Sequence, residues 1–234
     1  HMLSDFRVAH QEALDDLLTQ IVASLTAAGA VTLERVAQDG MRVRASAGAS
    51  SFRRQETLEK HLEEARAQVA RLAQEREHPD PGVSRRERAA RERATRERVE
   101  RVQQALEYLP EAQAAKERQQ RTQAVAKRAK VTEPRVSSTD PEARVMKMPD
   151  GGFRPAYNIE LATDQANGVI VGVAVIREGT DAGQALPMEE QVSERMGQHP
   201  GAYLMDGGFA TREDITALEE REVTVYAPVR LPRN

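Results

Sequence analysis

Between about Ser50 and Val131 the chain leaves its strand-like texture and becomes a charge-rich helical repeat, and any fold open to it must accommodate that interruption. Leu58, Leu62, Ala65, Val69 and Leu72 step by four, three, four and three, a heptad seam flanked by Glu, Lys, Arg and Gln. His78-Pro79-Asp80-Pro81-Gly82 breaks this helix and turns the chain. A second helix is predicted from Ser84 or Arg85, with Val99, Val102, Leu106 and Leu109 on one face. Pro110 kinks or restarts it, and the Ala-, Lys- and Arg-rich run continues to about Lys130. The economical reading is an antiparallel helical hairpin projecting from a main domain. A homodimeric coiled coil satisfies the same seam equally well.

The 234 residues carry a net charge of −3, but the charge is segregated. From Arg85 to Lys130 there are fourteen Lys or Arg against seven Glu, a local excess of about +7. Any nucleic-acid contact is expected there or at sheet edges, with Lys116, Arg118, Arg121, Lys127, Arg128 and Lys130 as the cluster suited to tracking phosphates. Runs such as Arg91-Glu92-Arg93 and Arg96-Glu97-Arg98 are expected to pair within the helix and cancel much of their field. With Tyr108 the one Phe, Tyr or Trp between Leu58 and Lys130, readout by base stacking is not suggested. The bland reading of the hairpin is a solvated coiled coil used for spacing or dimerisation.

Absence of Cys excludes disulfides, thiolate metal sites and a cysteine nucleophile. No apolar run approaches about 18 residues, so no membrane span is expected. Without a basic-then-apolar leader, the expected location is the cytoplasm. His1-Met2 reads as the remnant of a cleaved tag, which makes Leu3 an artificial start.

Outside the hairpin, Leu14, Leu17, Leu18, Ile21, Val22 and Leu25 form one apolar stripe of a helix from Leu3 to Ala28 that should pack on a sheet, with Gly29 placed to end it. Tyr157 to Ala162 and Val169 to Ile176 read as antiparallel strands joined through Asn167-Gly168. The second is apolar almost throughout, which predicts burial on both faces. A helix from Gln184 to Gly197, a strand at Ala202 to Met205, a helix from Thr211 to Glu220 and a strand at Val223 to Ala227 follow. The alternation predicts an α/β fold, a mixed sheet flanked by helices. Its divisions are expected at 3–49, 50–133 and 134–234.

Two acids stand out. Asp39-Gly40 lies among strand-forming residues, where it is either a hairpin turn or a carboxylate presented by a strand. Asp206 ends a short apolar strand just before Gly207-Gly208 and a helix signal at Thr211. Acids at strand ends, pointing out of a sheet, can share a divalent cation.

Val36 to Ser46, Ser138-Thr139-Asp140-Pro141-Glu142-Ala143-Arg144, Asp150 to Asn158, and Leu204-Met205-Asp206-Gly207-Gly208-Phe209 together resemble bacterial insertion-sequence transposases of the DDE class. The resemblance covers nearly the whole chain and rests on the order of these motifs and the helical interruption. It implies a ribonuclease-H-like fold with a long helical hairpin inserted after the first strand. It also implies Mg²⁺ or Mn²⁺ held by Asp39 and Asp206, and metal-dependent cleavage and strand transfer at phosphodiesters. The implied partners are insertion-sequence ends and target DNA in a bacterial nucleoid, with no membrane. The family's third acid, a glutamate on a helix beyond the fifth strand, has no counterpart by position among Glu213, Glu219, Glu220 and Glu222, so this chain alone is expected to hold an incomplete metal site.

Asp140 is either the turn residue that its Ser-Thr-Asp-Pro context favours or a neighbour of the active site, and Arg144, Lys147 and Arg154 either contact phosphate or pair with nearby acids. Gly151-Gly152 suits a tight turn. The five His residues lack metal-ligand spacing and read as surface or packing residues. The competing functional reading is a non-catalytic DNA-binding or oligomerisation fragment of a decayed transposase.

Overall fold

In the computed structural model, residues 2–77, 82–122 and 133–228 are described. In chain order the elements are α1 (Met2–Ala9), α2 (Gln11–Ala27), β1 (Val36–Arg44), β2 (Phe52–Arg53), α3 (Gln55–Glu77), α4 (Arg85–Glu107), α5 (Leu109–Thr122), β3 (Val136–Ser137), β4 (Arg144–Lys147), β5 (Phe153–Asp164), β6 (Val169–Ile176), α6 (Ala185–Met196), β7 (Ala202–Leu204), α7 (Arg212–Glu220) and β8 (Thr224–Tyr226). This is a mixed α/β fold, and it divides into two compact units, residues 1–43 with 158–234 and residues 44–157.

The first unit is built on a mixed sheet. The second half of β5 pairs antiparallel with β6, from Asn158↔Ile176 to Asp164↔Val169, with a bulge at Ala162/Thr163. β5 also neighbours β1. β1 runs parallel to β7 through Val36↔Tyr203 and Ala37↔Leu204, and β7 runs parallel to β8. The core joins Val22 of α2, Val36, Ala162, Val171 and Tyr203 of the strands, Met188 and Val192 of α6, Phe209 before α7, and Leu218 of α7.

Three sequence expectations change here. Asp39-Gly40 is not a hairpin turn: β1 runs straight through it. Gly40 serves close approach instead, since a Cβ there would lie 3.0 Å from Glu160 Oε1 and 3.3 Å from Asn158 Oδ1. The α2 stripe does not bury as one face. Leu18, Val22 and Leu25 meet the core, while Leu14, Leu17 and Ile21 are exposed among the described residues. β6 is not buried on both faces. Among the described residues it bonds only to β5, and Val175 and Ile170 are exposed. Its covered side lies under α6 at Gly172, where an added Cβ would meet Met188 Sδ at 2.7 Å.

The second unit holds the helical block. α3 and α4 pack antiparallel: Leu58 shares a cluster with Val102 and Ala105, and Glu64 and Arg76 face Arg98 and Glu92 at 3.9 and 3.7 Å. Ser84 caps α4 with a reciprocal capping box to Glu87. α4 ends at Glu107 and α5 restarts at Leu109, the break expected at Pro110. The units do not divide at the composition shifts near 49 and 133. β3 pairs with β2, and Val136 is buried in the helical cluster, so the chain through Tyr157 belongs with the helices. β4 pairs antiparallel with the start of β5 across a tight turn at Gly151 (φ 83°), closed by the bond from Met148 N–H to the Gly152 carbonyl at 2.7 Å.

Candidate functional site

The parallel register of β1 and β7 pairs Ala37 with Leu204, and two residues further along the two chains stand Asp39 and Asp206. Both are exposed, whereas Gln38 and Tyr203 are buried. The strand pleat explains the split: side chains alternate, so one parity points to the core and the other out of it. Each aspartate accepts a backbone N–H close by in the chain. Asp39 Oδ1 accepts the Gly40 N–H at 2.8 Å, and Asp206 Oδ1 accepts the Gly208 N–H at 2.5 Å. Gly208 leaves room that no other residue would. A Cβ there would lie 2.8 Å from Asp206 Oδ1 and 3.3 Å from Asp181 Oδ2, so these two carboxylates converge on one spot.

Behind them lies a buried polar chain. Tyr203 Oη donates to Gln38 Oε1 at 2.7 Å, and Gln38 Nε2 donates to Glu160 Oε2 at 3.2 Å. Asn158 Nδ2 donates to Glu160 Oε1 and to Asp181 Oδ1, both at 2.7 Å. Glu160 is 1% exposed, and Asn158 the same. Burial, added to by the charges of Asp181, Asp39 and Asp206 and opposed by the Gln38 bond, pushes the Glu160 carboxyl up to about 7. Burial and then the charges of Glu189, Glu160 and Asp214 likewise raise the Tyr203 phenol. A carboxyl poised near neutrality in the field of three acids is a recurrent mark of functional sites.

The donor set is oxygen only, which suits a hard divalent cation such as Mg²⁺ or Mn²⁺. Such an ion commonly keeps several waters and takes one or two carboxylates, so Asp39 and Asp206 match it in donor chemistry. Among the described residues, no group of three or more His, Cys, Asp or Glu is arranged to hold a metal.

The sequence reading singled out Asp39 and Asp206 but missed Gln38, Asn158, Glu160 and Asp181. Part of that signal was readable. Asn158 and Glu160 are polar residues two apart in a strand, hence on one face, and Gln38 occupies the parity of the apolar Val36.

The remaining candidates lie in the second unit. Asp140 is half-buried and accepts the Tyr157 hydroxyl at 2.5 Å, while its N–H donates to Ser137 Oγ at 3.0 Å. Burial first, then this carboxylate, raises the Tyr157 phenol. Arg144 donates to the carbonyls of Pro141, Glu142 and Ala143, reaches Glu111 at 3.3 Å and lies over the Tyr108 ring. Arg154 pairs with Asp150 at 2.7 Å. Lys116 donates to the Glu133 carbonyl, and burial followed by Arg135 and Arg54 lowers its pKa. A phosphate would have to compete with these contacts. Arg118, Arg121 and Lys147 are exposed. Lys127, Arg128 and Lys130 lie outside the described residues.

No known family model matches the chain, and a search of curated proteins finds no relative. No helix among the described residues is long and apolar enough to cross a membrane.

Proposed function

We propose that the chain is the catalytic-core portion of a DDE-class transposase: a ribonuclease-H-like sheet, interrupted after its first strand by a helical hairpin, acting on DNA phosphodiesters with Mg²⁺ or Mn²⁺. The observation that carries this reading is the parallel register Ala37↔Leu204, with Asp39 and Asp206 each two residues further along, and the charges of both acting on Glu160. The motif order supports it independently.

On this reading Asp39 and Asp206 hold the ion, which when bound supplies Lewis-acid stabilisation of charge at the phosphorus centre. Gly208 keeps the carboxylates of Asp206 and Asp181 uncovered, and Gly40 lets Glu160 approach β1. Gln38 and Asn158 fix Glu160, whose carboxyl holds a proton at mildly acidic pH and releases it near neutrality. The working partners are insertion-sequence ends and target DNA.

The test is Mn²⁺ binding followed by calorimetry and by the Mn²⁺ spin-resonance signal. Asp39→Asn and Asp206→Asn should each weaken binding at least about tenfold, as expected for loss of a charged oxygen ligand. Unchanged binding in both would sink the reading. A non-catalytic DNA-binding or oligomerisation fragment is the second reading, favoured by the lack of a three-carboxylate arrangement among the described residues. Metal-dependent nicking of a duplex, lost in Asp39→Asn, would exclude it.

A further inference from the structure

We propose that the outer face of α4 is a docking surface for the phosphate backbone of a duplex nucleic acid, gripped by Arg85, Arg86 and Arg93 with Arg96 at its edge. This surface belongs to the second unit and is independent of the carboxylate site.

Helical geometry defines the face. Thr95, Val102 and Ala105 are the buried side of α4. At 100° per residue, Arg86 and Arg93 fall opposite Thr95 and Arg85 and Arg96 flank them on one side, and the four extend over about 16 Å of helix at about 1.5 Å per residue. All four are exposed. Ala89 and Ala90 lie between them on the same side, so a backbone can approach closely.

Ion pairing then separates free guanidinium groups from occupied ones. Pairing within the helix, expected from the mixed-sign sequence, occurs at Arg96–Glu92 and Arg101–Glu97 but does not reach every arginine. Glu92 lies between Arg76 at 3.7 Å and Arg96 at 4.0 Å. Glu97 meets Arg101 at 3.7 Å, and Glu64 of α3 meets Arg98 at 3.9 Å. Glu87 is held by the Ser84 cap, whose backbone bond first and side-chain bond second lower its pKa. These four carboxylates are engaged, whereas Glu100, exposed and one turn beyond Arg96, enters no ion pair among the described residues and bounds the face at that end. Arg85, Arg86 and Arg93 enter no ion pair among the described residues.

The chemistry of the face selects the ligand. Between Lys60 and Lys116 every Lys-or-Arg position is Arg, the side chain whose planar fork matches phosphate oxygens. Neither α3 nor α4 contains an aromatic residue, so no platform exists for the unstacked bases of a single strand. The face offers no large apolar side chain to insert into a lipid surface. What remains is a rigid row of cations without base readout, which fits duplex backbone.

The test is fluorescence anisotropy of a labelled duplex of about 25 base pairs with the whole chain, in chelator, over about 0.05 to 0.3 M salt. The triple variant Arg85→Gln, Arg86→Gln, Arg93→Gln should lose at least about tenfold in affinity near 0.1 M salt. It should also flatten the log K against log salt slope by about 2.7, at about 0.9 per phosphate contact. Arg98→Gln, which faces Glu64, should leave the slope unchanged, and circular dichroism should show equal helix content in all variants. An unchanged slope in the folded triple variant overturns the proposal. So does preference of the parent chain for polyglutamate over duplex, which would make the face a dock for an acidic protein. Asp39→Asn should weaken Mn²⁺ binding at least about tenfold without touching this slope, so failure of the metal reading and failure of this one are told apart.

Discussion

Replacing Glu160 by Gln removes a buried carboxyl while keeping its shape, and the consequence should depend on pH. In the folded chain this group is 1% exposed and its pKa is raised from an ordinary 4.5 to about 7, by burial first and the surrounding acids next. At about 1.36 kcal/mol per pH unit, that displacement corresponds to about 3 kcal/mol. Because the folded state holds the proton more tightly than the unfolded chain, its contribution is fully present below pH 4.5 and is lost as pH rises through 7. Glu160→Gln has no such proton to lose. One of its two hydrogen bonds, from Asn158 or from Gln38, meets an amide in place of an oxygen, a pH-independent cost of about 1 kcal/mol. Urea unfolding followed by circular dichroism, in chelator, should therefore show the variant gaining on the parent by about 3 kcal/mol between about pH 4 and pH 8.5. A difference that stays constant across that range would refute the argument that Glu160 is protonated in the fold at mildly acidic pH.

Gly208→Ala should fold but weaken Mn²⁺ binding at least about tenfold, because its Cβ displaces the carboxylates of Asp206 and Asp181; calorimetry at equal Tm checks it. Arg221→Ala should cost about 3 to 5 kcal/mol in chemical denaturation, since Arg221 lies 2.7 Å from Glu189, which is fully buried. Glu222→Gly should raise stability by about 1 kcal/mol, read as a higher Tm, because Glu222 has φ 63° in the turn before β8.

How much of this was legible depends on the range of the interactions involved. The helical seam around Leu58, the break near Pro110, the turn at Gly151 and the alternation from Ala185 to Tyr226 all follow from local periodicity and local backbone preference. Asp39-Gly40 stays open between two readings in the sequence because local preference for a turn competes with strand continuation. The outcome was decided by β5, whose Glu160 occupies the space a side chain at position 40 would need. The same reasoning explains α2 and β6. Apolar composition announces that a face can be buried, but only the neighbours present decide that Leu18 is covered and Leu17 is not.

Sequence alone therefore determined the α/β class, the helical block and the candidacy of Asp39 and Asp206 as a carboxylate pair, because spacing and residue chemistry are properties of the chain itself. Tertiary structure decided that Asp39 and Asp206 each lie two residues beyond the paired Ala37 and Leu204, that Glu160, Asn158, Gln38 and Asp181 stand behind them, and which arginines of α4 enter no ion pair among the described residues. Register, burial and ion pairing are relations between residues far apart in the chain, and such relations exist only once the strands and helices have met.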